Sequence, residues 1–462
     1  MQTMIDREIC AGIDTTRARA QLAAERASFV QRNPRSAALA VQASAHLMFG
    51  VPLHWMNDWG TPFALHLQAA HGATLTDADD HVLADFCLGD TGAMFGHAPA
   101  PVVQAIAAQA ARGLTAMLAS EDAAVVGELL AQRFGLPYWQ FAMTATDANR
   151  YVIRWLRAAS RRRKLLVFNG CYHGTVEDVF VDLIDGQPVQ RASLLGQVHD
   201  LTATTVTVEF NDLPALEAAL TAGDVACVLA EPAMTNVGMV LPEPGFWAEA
   251  QRLIRASGAA LVLDETHTIS CGPGGYARAH GLQPDVVVIG KPIGGGLPCA
   301  AYGFSGEWAE RAMRAKREAP PGHSGIGTTL TGNPLAMAAM RATLAQLMTP
   351  EVYAPMLALS AELADGLREV IARHGLPWCV TQLGARCEFQ FRPLPPRNGS
   401  EAGAALDEEL EHLVHLMLLN RGVLITPFHN MLLVSPATTR AQVQLLLAAF
   451  DEAVGTLAAS RG

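Results

Sequence analysis

Three lysines, Lys164, Lys291 and Lys316, stand among the 33 basic residues of this 462-residue sequence. Lys291 has the setting that asks for a chemical reading. In VVVIGKPIGGG (286–296) it follows an apolar, β-branched run and a glycine, and it precedes a proline and three glycines. A lysine at a strand end is usually a solvated residue. A desolvated lysine amine, however, can lose its proton and condense with a carbonyl, which an arginine guanidinium cannot do. In a chain that otherwise uses arginine, Lys291 is therefore a candidate covalent nucleophile.

Three further segments carry groups that suit such a lysine. LVLDETHT (261–268) puts Asp264 at the carboxyl end of an apolar strand, where open α/β sheets place functional groups. Pyridoxal phosphate bound to a lysine acts as an electron sink when a carboxylate keeps its ring nitrogen protonated, and Asp264 could be that carboxylate; a helix N-cap is the equally good structural reading. In FAMTATDANRYVIRWLRAASRRRK (141–164) small and hydroxyl residues precede a helix with Val152, Trp155, Leu156 and Ala159 on one face. Its free N–H groups could hold a phosphate, with Thr144 or Thr146 adding a hydroxyl. Asp147 in the first turn and Arg161 to Arg163 at the end complement the dipole. NGCYHG (169–174) offers Tyr172 as a flat face for a cofactor ring and His173 as a hydrogen-bonding group, although an isolated Tyr-His pair is more often core packing.

The elements that must position these residues alternate strand and helix. Apolar runs at 164–169, 204–210, 225–230, 259–264, 285–290 and 300–304 predict the strands of a mostly parallel sheet covered on both faces. The segment 72–86 alternates around a polar DADD tip and predicts a hairpin, and 335–348 predicts a long helix. ARCEFQFRP and GVLITPFHNMLLVSP predict C-terminal strands, followed by a closing helix from TTRAQVQLLL onward. The expected organisation is an N-terminal arm over 1–75, a large α/β domain over 76–345, and a smaller α+β domain over 346–462.

Half of the residues are hydrophobic, enough for a large core without staples. The eight cysteines, Cys10, Cys87, Cys171, Cys227, Cys271, Cys299, Cys379 and Cys387, form no CxxC pair, so reduced thiols and no metal site are expected. Asp6 and Glu8 stand where a signal peptide needs basic and then apolar residues, and no apolar stretch reaches about 18 residues, which predicts a cytoplasmic protein with no membrane partner. A net charge of −11 and a pI near 5.7 disfavour nucleic acid.

In their order along the chain these segments resemble the class III pyridoxal-phosphate-dependent aminotransferases of fold type I, especially the branch that includes glutamate-1-semialdehyde aminomutase. GATLTDADDHVLADFCLGDTGAMFGHAPAPV is similar to the family's opening hairpin and glycine-histidine turn. TATDAN stands where the family usually has Ser-Gly-Thr-Glu-Ala-Asn, and CYHG, EPAMTNVG, LDETHT, GKPIGGG and GTTLTGNP follow. The likeness covers roughly residues 40 to 450. It implies that Lys291 forms the internal aldimine with pyridoxal 5'-phosphate and shuttles the substrate proton, and that Asp264 pairs with the pyridinium nitrogen. It also implies that Tyr172 stacks on one ring face and Thr266 covers the other, and that Glu231 lies near the phenolic oxygen. Backbone groups of Ala145 and Thr146 would hold the phosphate, which Thr328 of a neighbouring subunit would reach, making a homodimer, or a dimer of dimers, with shared active sites. Glycines 294 to 296 would let the backbone pass close to the cofactor. Ala145 and Asp147 depart from the family's glycine and glutamate at these positions.

The resemblance implies an aminotransferase acting on small amine and carbonyl compounds, with an aminomutase or an epimerase as the alternative on the same scaffold; a non-catalytic descendant would not be expected to keep Lys291, Asp264 and Tyr172. The stretches GVPLHWMNDWGTPF and ITPFHNMLLVSP hold no arginine to clamp a carboxylate. They offer Trp55, Trp59 and His429 as candidate substrate contacts, which suggests a bulky apolar or aromatic group, although the tryptophans could equally serve a core or an interface.

Overall fold

The computed structural model describes residues 12–458; Asp6, Glu8 and Cys10 lie outside the described residues. The chain forms two compact units. One runs up to Pro99, resumes over Ala354–Pro395 and again from Ala405; the other is Ala100–Tyr353 with Pro396–Ala404. The sequence suggested a boundary near residue 75, but the first unit reaches Pro99. The hairpin strand Val82–Asp85 pairs in parallel with Val423–Leu424, which ties it to the C-terminal segments of that unit.

The larger unit is built on a seven-stranded sheet. Its order is Tyr138–Ala142, Ala300–Phe304, Val286–Ile289, Ala260–Asp264, Val225–Ala230, Lys164–Phe168 and Thr205–Val208. Ala300–Phe304 runs antiparallel to both of its neighbours, and the other pairings of this sheet are parallel. All six expected strands form. The seventh, Tyr138–Ala142, was not foreseen, because YWQFA alternates exposed and half-buried positions and resembles a loop.

Both faces of this sheet are covered over its apolar inner strands. On one face Leu165, Val167, Cys227, Leu229, Val262, Val286 and Val288 pack with Val152 and Leu156 of the helix Ala145–Ser160. Phe168 begins an aromatic cluster with Phe210, Phe246 and Trp247. The helix Ala145–Ser160 starts at Thr144, whose side chain accepts from Asp147 N, and stops where Arg161 turns left-handed at φ +60°. The arginines predicted for its last turn therefore begin at its C-cap. The helix expected over 335–348 is α-helical over Pro334–Ala342 and widens into a π-turn over Thr343–Leu347.

In the smaller unit the expected hairpin comprises Thr74–Asp77 and Val82–Asp85. Buried Asp77 closes its tip by accepting from the N–H groups of Asp79 and His81. The strands Cys379–Leu383, Arg386–Gln390 and Met431–Leu433 form a second, antiparallel sheet. Phe389, Met417, Leu446 and Phe450 form part of that unit's core. The closing helix Arg440–Leu457 begins with a capping box between Thr439 and Gln442. The described cysteines are free thiols.

Candidate active site

Sheet register brings two of the chemically important residues to one edge. Asp264 ends its strand opposite Val288 of the next strand, and Lys291 lies three residues beyond Val288. Lys291 opens a short 3-10 turn, Lys291–Gly294, with its own φ at +45°. A side-chain-bearing residue avoids that left-handed region, so Lys291 is held under local strain. Gly290 explains how the lysine reaches the helix start: a Cβ there would lie 2.8 Å from Ala145 Cβ and 3.3 Å from Ala145 N. The lysine loop and the first turn of the helix are thus in backbone contact. Of the glycines that follow, Gly294 and Gly295 face the protein's own side chains, and a Cβ on Gly296 would meet nothing within 4 Å. A Cβ on Gly294 would overlap Cys299 Sγ and one on Gly295 would lie 2.6 Å from Val102 Cγ2, so their smallness admits the protein's own side chains.

Asp264 is buried and receives three donors. His173 Nδ1 lies 3.0 Å and Asn149 Nδ2 2.8 Å from its Oδ2, while Thr266 N donates to Oδ1 at 3.1 Å. The helix-cap reading of Asp264 gives way to this arrangement, since no α-helix starts at the next residues. Burial alone would raise the Asp264 pKa, but the hydrogen bond and charge of His173 outweigh it and hold the carboxyl at about 2. Burial likewise opposes charge on His173, and its bond to Asp264 overcomes that, raising the imidazole to about 10. The pair is therefore an ion pair in the interior. His173, expected beside a ring, serves as the carboxylate's partner. Its Nε2, together with the buried Thr266 Oγ1, has no hydrogen-bond partner among the described residues.

The helix start and the Tyr172 turn are locked together. Thr144 Oγ1 is committed to the cap, accepting from Asp147 N at 3.2 Å and donating to Asp147 Oδ2 at 3.1 Å. Thr146 Oγ1 accepts from Thr175 N, and a Cβ on Gly174, whose φ is +81°, would overlap that hydroxyl. Both threonine hydroxyls thus hold protein structure, while the N–H groups of Ala145 and Thr146, in the first turn, have no helical carbonyl to bond. Tyr172 is 40% exposed. Glu231 is buried and accepts from Thr235 Oγ1, Thr235 N and Asn236 Nδ2; burial raises its pKa. Thr328 is exposed and bonds to Thr331.

In the smaller unit, Trp55 meets Phe428 edge-on at 5.5 Å, whereas Trp59 packs with Phe29, Leu83 and Leu416. Trp59 thus contributes to that unit's core. His429 is buried against Glu388 at 3.1 Å, and Glu388 raises its pKa against the effect of burial. Nearby Glu411 is pushed up to about 8 by burial.

Sequence reasoning missed two residues that the structure brings into the site. Asn149 belongs to the TATDAN segment, and the signal that could have found it is its polarity one turn into a helix at a fully buried position. His267 belongs to LDETHT, and its Nε2 lies 2.7 Å from Lys291 Nζ. Both were hidden because their partners are distant in sequence.

These groups fit pyridoxal 5'-phosphate. A carboxylate kept ionised suits a ring nitrogen, free N–H groups at a helix start beside the lysine loop suit a phosphate, and an orphaned buried hydroxyl on Thr266 awaits a partner.

Comparison with known proteins agrees. Residues 55–454 match the family Aminotransferase class-III. The chain is 34% identical over 394 residues to a glutamate-1-semialdehyde 2,1-aminomutase of Roseiflexus castenholzii, covering 84% of this chain and 89% of that one. A glutamate-1-semialdehyde-aminomutase variant from Pseudomonas aeruginosa PAO1, solved in complex with PMP, superposes with a TM-score of 0.95 at 48% identity, over 96% of this chain and 100% of that one. A β-phenylalanine aminotransferase from Variovorax paradoxus superposes with a TM-score of 0.85 at 25% identity, over 96% of this chain and 100% of that one. With the lysine loop, the ionised aspartate and the helix start on one scaffold, the chain belongs to the class III aminotransferases, has their fold type I architecture, and uses pyridoxal 5'-phosphate as its cofactor.

Proposed function

We propose that this enzyme catalyses an intramolecular amino shift on a small amino aldehyde, the reaction type named for its curated relatives. The resemblance in the sequence put transamination first, and the names of those relatives favour the alternative. The observation that carries the catalytic reading is Asp264, held ionised by His173 and Asn149 at the sheet edge that also bears Lys291.

The bound cofactor supplies an electron sink for the carbanion left when a substrate C–H bond is broken. Asp264 would keep a proton on the ring nitrogen, with Thr266 and Tyr172 beside the ring. The N–H groups of Ala145 and Thr146 would bind the phosphate. Lys291 Nζ would anchor the cofactor, then take the proton from the amine-bearing carbon, which becomes the carbonyl carbon, and deliver it to the former aldehyde carbon that receives the nitrogen. Glu231 orients the phenolic-oxygen side. The proposal includes a cytoplasmic homodimer in which Thr328 completes the phosphate site of a second copy. No helix of the described residues is long and apolar enough to cross a membrane.

The second reading, transfer between separate amine and carbonyl compounds, draws on the likeness to the Variovorax aminotransferase. The two readings separate in one assay. Holoenzyme given glutamate-1-semialdehyde and no keto acid should convert it to its amino-shifted isomer, followed by chromatography of both compounds. Consumption that starts only when a keto acid is added would overturn the amino shift in favour of transfer.

The contact of Gly290 with Ala145 gives a further expectation. In Gly290→Ala the new methyl must push Lys291 or the helix start aside, a distortion of the overpacking kind. Cofactor affinity should fall about tenfold or more, corresponding to roughly 1.4 kcal/mol, as read by titrating apoenzyme with pyridoxal phosphate.

A further inference from the structure

Lys291 Nζ and His267 Nε2 face each other at 2.7 Å. At that separation one nitrogen must carry the proton and the other accept it, because two cations would repel and two lone pairs would oppose each other. The imidazole is also held in place. His267 is buried, and the segment bearing it is anchored on both sides. Thr266 N donates to Asp264, Thr268 Oγ1 donates to Glu265, and the Glu265 carboxylate accepts from Tyr276 N at 2.9 Å and Ala277 N at 2.6 Å.

A base fixed on the reacting nitrogen has a chemical consequence. The function proposed above, on which this inference rests, requires Lys291 Nζ first as a free amine and later as a proton carrier. We propose that His267 is a catalytic residue that exchanges a proton with Lys291: Nε2 takes a proton from the Nζ ammonium, and later returns it. One Nζ–H bond breaks as one Nε2–H bond forms, the pair keeps its total charge, and no other reactant is required. A side chain that only packed there would need no basic nitrogen. Glutamine at this position would keep a hydrogen bond and lose the base.

The small number of lysines makes the test direct. Apoenzyme is labelled with trace acetic anhydride across pH 6 to 9, and Lys291, Lys164 and Lys316 are quantified by peptide mapping, the latter two as references within the same chain. Asp264 and Glu265 lie on the same segment as His267; Asp264 pairs with His173 and interacts with Glu231, and Glu265 and Cys271 interact with Tyr353, and all of these groups are retained in His267→Gln. At pH 7.5 the labelling of Lys291 relative to Lys164 should be several-fold lower in His267→Gln than in the native chain. His267→Asn should show the same loss, which guards against misfolding of either variant. Equal relative labelling in the native chain and a folded variant overturns the proton exchange. Failure of the cofactor reading looks different: borohydride reduction of native holoenzyme would then leave no cofactor on Lys291, whatever the labelling ratio.

Discussion

Lys291→Ala is expected to lose at least about 10⁴-fold in turnover while the protein still folds and still binds cofactor. The substitution leaves most of the site in place. The helix start keeps its free N–H groups, Asp264 keeps its three donors, and the sheet register that aligns both with residue 291 does not involve the lysine side chain. What is lost is the amine that anchors the cofactor and carries the proton. Lys291→Gly separates chemistry from stability. With φ at +45°, any residue with a Cβ is strained here, and alanine keeps that strain whereas glycine relieves it. The glycine variant should therefore be about 1 kcal/mol more stable than the alanine variant toward urea, and equally inactive. A lysine kept where glycine would fold better indicates a position selected for reaction. Retention of turnover by either variant, with the assay of the amino shift as the measure, would remove Lys291 from the mechanism.

How far this could be read from the sequence depends on the range of the interactions involved. Uniformly apolar strands announce themselves, because a strand covered on both faces must be apolar at every position, as in VACVLA and VVVI. Strand order and direction do not announce themselves: Ala300–Phe304 is as apolar as its neighbours and runs the opposite way. Tyr138–Ala142 escaped notice because its half-exposed pattern lacks the burial signal altogether. At the site, residue types suggested a nucleophile, a carboxylate and a phosphate-holding helix start. The partners could not be read, because His173 and Asn149 reach Asp264 across 91 and 115 residues of chain. Thr144 and Thr146 show the same limit from the other side. Their hydroxyls suit a phosphate by type, yet local geometry spends one on a cap and the other on the turn at Thr175.

The Asp264–His173 pair carries the second large prediction. Asp264→Asn removes the charge that keeps a proton on the cofactor's ring nitrogen, and turnover should fall on the order of 10³-fold even though asparagine fills the same space. The same change should alter stability in a manner that depends on pH. His173 is raised from 6.5 to about 10 by its bond to Asp264 against the opposing effect of burial, so its contribution is complete below 6.5 and is lost as pH rises toward 10. Asp264 is lowered from 3.8 to about 2 by His173, again against burial, so its contribution is complete above 3.8 and is lost as pH falls toward 2. The two windows overlap between 3.8 and 6.5, where the native chain should exceed Asp264→Asn in stability by about 3 kcal/mol, the usual cost of breaking a buried pair. Above that range the gap should narrow steadily, because the histidine of the unfolded native chain is then neutral and must take up a proton to form the pair on folding, whereas in the variant burial alone keeps it neutral. Urea unfolding of both apoproteins at pH 6 and pH 9 measures it. A gap of the same size at the two pH values would mean that His173 is neutral beside Asp264, and that the carboxylate must be held ionised by its neutral donors Asn149 and Thr266 N alone.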